Sequence, residues 1–336
     1  MDKKETICAV VVTYNRKDLL LTCLDSLRRQ TYALSAIYII DNASNDGTPE
    51  ILRNNNYIKA VLEPRGCPLE TETVMKESSD VRQITIHYVR MYENTGGAGG
   101  FHEGVKRGYE KGYDWLWLMD DDSEPGIYAL ERLIDISGLD DGSAYASAVY
   151  IKGSKQLAWP KKIYLNGRWT TTTRLPDSDE FKMIKIDCVG FLGAIVSRRI
   201  VSKVGFPNRH LFIRGDEVEY SLRIKNCRFD MYVVPSSSLY HPSEQYEELN
   251  LIIRKNWYVK SGVWKSYYFV RNSIYILRYY PFFEAYFLRL PWVIFKAFFI
   301  ALVYEDRKML RVKYYAKAVV DGLFNRLGKR VEPGDV

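Results

Sequence analysis

Trp115-Leu116-Trp117-Leu118-Met119-Asp120-Asp121-Asp122 is the stretch on which the reading of the fold turns. Five apolar residues running straight into three carboxylates describe a strand buried on both faces that empties into a polar site. In open α/β sheets, ligands bind beyond the carboxyl ends of the strands. Adjacent carboxylates repel one another and hold protons more tightly unless a cation neutralises them. Hard divalent ions prefer oxygen ligands and share a few carboxylates with substrate phosphates. The expectation is a metal–diphosphate site at Asp120, Asp121 and Asp122; a solvated acidic turn ahead of a helix start at Pro125 would use the same residues.

The segments on either side set this strand in a parallel sheet. Ile7–Thr13 is a β-branched run that suits a buried strand. A turn at Tyr14-Asn15-Arg16 leads into a helix with Leu20, Leu24 and Leu27 on one face. Ala36–Asp41 reads as a second strand, Asn42–Gly47 as a turn, and Thr48-Pro49 as an N-cap followed by the first helical position. Residues 57–83, with Pro64, Gly66 and Pro68, read as a surface excursion before a strand at Ile84–Val89. A helix from Phe101 to Lys111 then carries the chain to Trp115. This rhythm predicts right-handed parallel units.

Beyond the acids, the pattern predicts a helix over Ile127–Ile136, a strand at Ala144–Ile151 and a β-hairpin excursion within 152–183. Ile184–Val189 returns as a strand, and Gly190–Ala194 passes into another helix. Asp216–Asn226 is helical, Met231–Pro235 a short strand and Ser236–His241 a loop, with only helices from Trp257 onward. The fold class is α/β: a Rossmann-like nucleotide-binding domain over residues 1–250 with a mostly parallel sheet, then an α-helical region over 251–336.

At 336 residues with 47% apolar content the chain can build one large core and an appendage. Cys8, Cys23, Cys67, Cys188 and Cys227 are scattered, odd in number and without a CxxC pair, which points to a reducing compartment and away from zinc. Met1–Glu5 runs directly into a strand without signal-peptide character. The net charge of +7 is uneven: residues 251–336 hold 16 Lys/Arg against 6 Asp/Glu. Residues 257–304 also hold 18 of the 47 aromatics, and Trp292–Tyr304 is apolar except for Lys296. That block is short for a spanning helix, so an interfacial helix on a membrane surface fits better than nucleic-acid binding. A bundle packed on the catalytic domain or on another copy is the alternative.

Four motifs carry candidate chemistry. Gly96–Gly100 allows backbone N–H groups to approach an anion at a helix start, or simply makes a flexible loop. It lacks the spacings of a dinucleotide fingerprint or a P-loop. Asp41, ending the second strand, could accept hydrogen bonds from a nucleobase or ribose, or cap a turn. Asp216-Glu217-Val218-Glu219 puts three acids at a helix start, more than capping requires, and one could act as general base. His241 stands alone after three serines, as a structural residue or a metal ligand.

Five ordered blocks resemble the motifs of family-2 inverting glycosyltransferases of the GT-A fold. They are Val-Val-Val-Thr-Tyr-Asn-Arg (10–16), Ile-Ile-Asp-Asn-Ala-Ser-Asn-Asp-Gly-Thr (39–48), Glu-Asn-Thr-Gly-Gly-Ala-Gly-Gly-Phe (93–101), Trp115–Asp122, and Gly-Asp-Glu-Val-Glu-Tyr-Ser-Leu-Arg (215–223). The resemblance spans roughly residues 6–245, continues weakly through Tyr267–Asn272 and Asp321–Gly328, and is nearest the galactofuranosyltransferase and rhamnosyltransferase branch. It implies that Thr13, Asn15, Arg16 and Asp41 hold base and ribose, and that Asn94, Gly96, Gly97 and Gly100 approach nucleotide and sugar. Asp120, Asp121 and Asp122 match the acidic motif, with Asp120, Asp122 and His241 as ligands of Mn2+ or Mg2+. The family's base motif is commonly Glu-Asp or Asp-Asp; here Asp216-Glu217 stands there, and Glu217 is preferred.

The implied donor is UDP-galactofuranose, with dTDP-rhamnose next. The implied acceptor is a glycan or lipid-linked glycan, and the implied place is the cytoplasm, peripheral on the inner face of the cell membrane, with a homo-oligomer as a further expectation and no nucleic acid as partner. A nucleotidyltransferase would also gather carboxylates and Mg2+ around a nucleotide, but its phosphate loop would follow the first strand, where Thr13–Arg16 has no glycine. A catalytically silent nucleotide-sugar-binding subunit is the other alternative.

Overall fold

A computed structural model of the chain describes residues 5–76, 83–138, 140–242, 246–251, 254–259, 262–279 and 283–334. In chain order the elements begin β1 (Ile7–Thr13), α1 (Lys17–Arg28), β2 (Ala36–Asp41), α2 (Thr48–Asn54), β3 (Leu69–Lys76), β4 (Gln83–Arg90), α3 (Gly96–Lys111) and β5 (Trp115–Asp120). They continue with β6 (Glu124–Pro125), α4 (Ala129–Ser137), β7 (Ser143–Ile151), β8 (Lys161–Leu165), β9 (Arg168–Thr172), β10 (Ile184–Ile186), β11 (Ala194–Ser197) and α5 (Arg198–Val204). The last are α6 (Asp216–Asn226), β12 (Asp230–His241), β13 (Tyr246–Leu251), β14 (Arg254–Val259), α7 (Val263–Tyr279), α8 (Phe283–Val303) and α9 (Lys308–Leu323).

The chain divides into two compact units. One comprises Met1–Thr95, Gly100–Pro207 and Tyr220–Ser243; the other comprises Gly96–Gly99, Asn208–Glu219 and Glu244–Val336.

The first unit is a 12-stranded mixed sheet in the order β3-β4-β2-β1-β5-β11-β7-β12-β10-β8-β9, with β6 added on β12. β4, β2, β1 and β5 run parallel, as do β7 and β12, and the other pairings are antiparallel. The Trp115 strand lies in the middle: Trp115, Leu116, Trp117, Leu118 and Met119 are all buried between β1 and β11. One face is covered by α1 and α4 through Leu20, Leu24, Leu130 and Leu133, and the other by α3 through Phe101 and Val105. On that second face Gly100, Gly104 and Gly108 lie so close to Val12, Val10 and Leu116 that a Cβ on any of them would collide with the sheet.

Several expectations are corrected here. The excursion at 57–83 contains β3, paired antiparallel along the whole of β4. Its outward residues Glu70, Glu72 and Lys76 are charged, and the strand is held by electrostatics as well as by its ladder. Nδ1 of the fully buried His87 lies 3.2 Å from Glu70, Glu70 pairs with Arg107, and Lys111 reaches Glu72 at 2.9 Å. Helix α3 begins at Gly96 rather than Phe101, so the glycine run is its first turn. Gly47, not Thr48, is the N-cap of α2; Asp46 accepts from both the backbone N–H and the hydroxyl of Thr48. The Gly190–Ala194 passage enters β11 before α5. Ser236–His241 belongs to β12, which crosses a register shift against β7 between Val234 and Ser238.

The second unit contains α7, α8, α9 and the β13–β14 hairpin, whose second strand lies in the region expected to be helical. Tyr267, Tyr268, Ile274, Ala301, Tyr315 and Ala318 form its core. Among the described residues, no helix is long and apolar enough to cross a membrane. Helix α8 has two characters. Ile294, Ala297, Phe298 and Ala301 pack inward, while Trp292, Phe295 and Leu302 stand 48%, 58% and 49% exposed.

Candidate active site

The carboxyl ends of β1 and β5 meet in a charged cluster. Oγ1 of Thr13 donates to Oδ2 of Asp121 at 2.7 Å, and the backbone N–H of Tyr14 donates to the same oxygen at 3.3 Å. Nη1 of Arg16 lies 3.4 Å from Oδ1 of Asp121 and also pairs with Oδ2 of Asp122. Burial pushes the Asp121 carboxyl up to about 6, against the opposing pull of Arg16 and Thr13. Burial acts on Asp122 in the same sense, but His241 and Arg16 outweigh it and hold that carboxyl below its ordinary range. Asp120 ends β5 half-buried.

His241, at the end of β12, completes this cluster. Its Nε2 lies 3.3 Å from Oδ1 of Asp122, a buried oxygen that makes no hydrogen bond. Its Nδ1 is hydrogen-bonded to the carbonyl of Pro242. A carbonyl only accepts, so Nδ1 carries a proton, and this bond fixes the ring with Nε2 turned toward Asp122. Trp159 packs edge-on against the imidazole with ring centres 4.7 Å apart. A buried carboxylate oxygen beside an imidazole nitrogen is a donor set that suits a divalent cation. Among the described residues, no group of three or more His, Cys, Asp or Glu side chains gathers to hold a metal unaided. Two protein ligands suit an ion whose remaining positions are taken by phosphates and water.

The other residues expected at the nucleotide face one another. Asn15, in a left-handed conformation at φ 53°, receives the backbone N–H of Asn45 on its side-chain oxygen at 2.8 Å. Asp41 is fully buried and accepts from the Ser44 backbone at 2.8 Å and the Tyr88 hydroxyl at 2.7 Å. Asn94 is half-buried ahead of α3, and Gly100 lies against Val12 and Asn42. Thr13, Arg16, Asp121, Asp122 and His241 are thus brought together, with Asn15 and Asp41 around the neighbouring turn at Ser44.

Gly96, Gly97, Asp216 and Glu217 belong to the second unit, where the glycine turn meets the segment leading to the acids. The backbone N–H of Ala98 donates to the carbonyl of Phe212 at 3.0 Å. Gly96, at φ +70°, lies directly against that carbonyl, while Gly97 faces open space. Phe212 itself adopts φ 66° and ψ −66°, and the Ile213 N–H bonds back to the Leu211 carbonyl at 2.8 Å, a tight and strained three-residue turn. Asp216 is buried and Glu217 half-buried at the start of α6.

Sequence reasoning missed the residues that hold this turn. The Asn272 amide donates to the carbonyls of Leu211, Ile213 and Arg214 at 3.0, 3.0 and 2.6 Å, and the fully buried Arg271 donates to Leu211 at 2.8 Å. The available signal was a polar Arg-Asn pair directly after the apolar run Tyr267–Val270. Such a pair is buried only where backbone carbonyls need donors.

Residues 8–62 and 67–205 match the family described as Glycosyl transferase family 2, and the chain belongs to it. It is a glycosyltransferase with a GT-A fold. Among curated relatives, Galactofuranosyltransferase GlfT1 of Mycolicibacterium smegmatis (strain ATCC 700084 / mc(2)155) is 28% identical over 246 residues, covering 72% of each chain. GlfT1 of Mycobacterium tuberculosis (strain ATCC 25618 / H37Rv) is 26% identical over 281 residues, covering 81% of this chain and 82% of that one. Among solved structures, GalNAc-T7 with UDP, GalNAc and Mn2+ superposes with a TM-score of 0.54 at 16% identity. That match covers 93% of this chain, which spans 55% of the GalNAc-T7 chain. It bears on the fold alone.

Proposed function

We propose that this glycosyltransferase moves galactofuranose from UDP-galactofuranose to a hydroxyl of a growing, lipid-linked cell-surface glycan, in one inverting displacement that depends on Mn2+ or Mg2+. dTDP-rhamnose is the second donor to consider. The single observation that carries the reading is the pairing of Asp122 with His241 at the carboxyl end of the central strand. The galactofuranosyltransferase relatives support the donor. Catalysis is assigned to residues 1–250 and surface attachment to 251–336.

Asp122 and His241, with Asp120 nearby on β5, would hold the cation, which when bound offsets the charge that develops on the departing diphosphate. Arg16 keeps a positive charge beside Asp121 and Asp122, so two adjacent acids stay ionised at neutral pH. The first turn of α3 presents backbone N–H groups at Gly96 and Gly97, suited to an anionic oxygen. Glu217, the more accessible of the pair with Asp216, takes the acceptor's proton as its oxygen bonds to the anomeric carbon and UDP leaves with the bonding electrons.

The exposed row Trp292, Phe295 and Leu302 on α8 recurs at helical spacing, in a region with a cationic surplus. This supports peripheral attachment to the inner face of the cell membrane, where a lipid-linked acceptor is presented. The test of the whole reading is a screen of nucleotide-sugars with Mn2+ and a lipid-linked acceptor, following transfer and released nucleoside diphosphate. Turnover of UDP-galactofuranose is expected. Nucleotidyl transfer in place of glycosyl transfer, or no release from any donor, would end it.

A further inference from the structure

The three serines at 236–238 have no part in the site above, and the structure gives them a use. They fall where β12 shifts register against β7, so that Val234 pairs with Ser147 and Ser238 with Ala148. An irregularity of this kind re-aims side chains. Ser237 turns inward, fully buried, donating to the Ala129 carbonyl and sharing a hydrogen bond with Ser147, each at 2.8 Å. Ser236 and Ser238, only half-buried, line a cavity of about 490 Å3. Gly126 forms part of its wall, and a Cβ there would stand 2.8 Å from Oγ of Ser238.

This cavity is not the diphosphate site. Past the irregularity, Ser238 and Tyr240 share one face of β12 while Leu239 and His241 share the other. Leu239 packs with Val149 and Ala158, and His241 sits against Trp159 and Asp122, all on the far face.

We propose that the cavity behind β12 is a second binding site, for an anionic saccharide. Its hydroxyls on Ser236, Ser238, Tyr128 and Tyr240 can both donate and accept, as the hydroxyls of a sugar do. Arg132 and Lys182 outnumber Asp179 around it, leaving a net positive charge for a phosphate or carboxylate. Ile127 and Tyr128, half exposed in the same wall, offer apolar surface to the face of a sugar ring. The volume lies in the range of small-molecule sites. The inference goes beyond the donor chemistry and does not depend on it.

The test is calorimetric titration of the full chain with glucose 1-phosphate, glucuronate, glucose and inorganic phosphate, each with and without saturating UDP. At least one of the two anionic sugars should bind saturably, UDP should not displace it, and which of them binds identifies phosphate or carboxylate as the anion. Glucose and inorganic phosphate should each bind about tenfold or more weaker, and so should the anionic sugar to the Arg132→Ala/Lys182→Ala variant. Both substituted residues are exposed, and an unchanged melting midpoint verifies the fold. Absence of saturable binding by either anionic sugar, displacement by UDP, equal affinity for inorganic phosphate, or undiminished binding by the double variant would each overturn the proposal. A failure of UDP itself to bind would count against the donor-site reading and leave these arms decisive.

Discussion

Gly96 lies with its Cα turned into the carbonyl of Phe212, so closely that no side chain fits between them. The contact joins the first turn of α3 to the strained turn ahead of Asp216, and it specifies glycine twice, by space and by a φ of +70°. Gly96→Ala is expected to cost about 1–3 kcal/mol in denaturant unfolding. Gly97→Ala, which faces open space in a helix, should leave stability unchanged or raise it by up to about 1 kcal/mol. If Gly97 approaches the donor, that stable variant should nonetheless bind the nucleotide-sugar more weakly.

The proposed cation site rests on a pair of side chains rather than a cage. His241→Ala and Asp122→Asn should each weaken Mn2+ affinity by about 10-fold or more, read by electron paramagnetic resonance in the presence of UDP. Wild-type affinity in both variants would remove the pair from the metal's coordination.

Of the two acids opening α6, Glu217 is the more accessible. Glu217→Gln is expected to keep donor affinity while lowering kcat by about 100-fold or more. The same loss in Asp216→Asn alone, with Glu217→Gln near wild type, would transfer the role to the buried acid.

Glu70, on β3, provides a pH signature independent of the proposed site residues. Burial works against its charge, but His87 and Arg107 outweigh it and hold its carboxyl near 2, down from 4.5. An acid whose folded value is depressed stabilises the protein above its unfolded value and ceases to do so as pH falls through the folded one. Glu70→Gln should therefore lower the melting temperature by a nearly constant amount above about pH 5. The gap between variant and wild type should narrow from about pH 4.5 downward.

The outer face of α8 makes a membrane prediction. Replacing Trp292 and Phe295 with Ser should release the protein from anionic vesicles at high salt, where electrostatic attraction is screened and apolar burial persists. Co-sedimentation of wild type and variant at low and high salt measures this. Wild-type protein that stays in the supernatant throughout would mark the face as a contact between copies.

Elements whose burial is symmetric were legible in the sequence. Trp115–Asp120, Ala36–Asp41 and Ile7–Thr13 show their apolar runs openly because both faces are covered. The bounds of α6 were legible from its acids and its periodicity. β3 was not, because its Leu-Glu-Thr-Glu-Thr-Val-Met-Lys pattern is mostly polar and the ion-pair partners of Glu70 and Glu72 lie 37 and 39 residues further along the chain. The extension of β12 through Ser236–His241 was hidden by serines that satisfy one another across the register shift. The acidic and glycine motifs were visible as types, and the turn-capping alternative at Asp41 is what its bond from Ser44 shows, but the inward use of Asn15 was not visible. Whether a polar side chain spends its hydrogen bonds on protein or ligand depends on neighbours brought close only by folding.

The spacing of Gly100, Gly104 and Gly108 has a consequence for how this chain can drift over evolutionary time. Along α3, the positions facing the sheet tolerate nothing larger than hydrogen, since each abuts a strand side chain. Glu103, Lys106 and Glu110, on other sides of the same helix, meet no such barrier. At positions other than Arg107 and Lys111, which pair with β3, mutation can therefore alter the charge of that helix while its depth against the sheet stays frozen, because deepening the strand side would require three residues to change together with Val12, Val10 and Leu116.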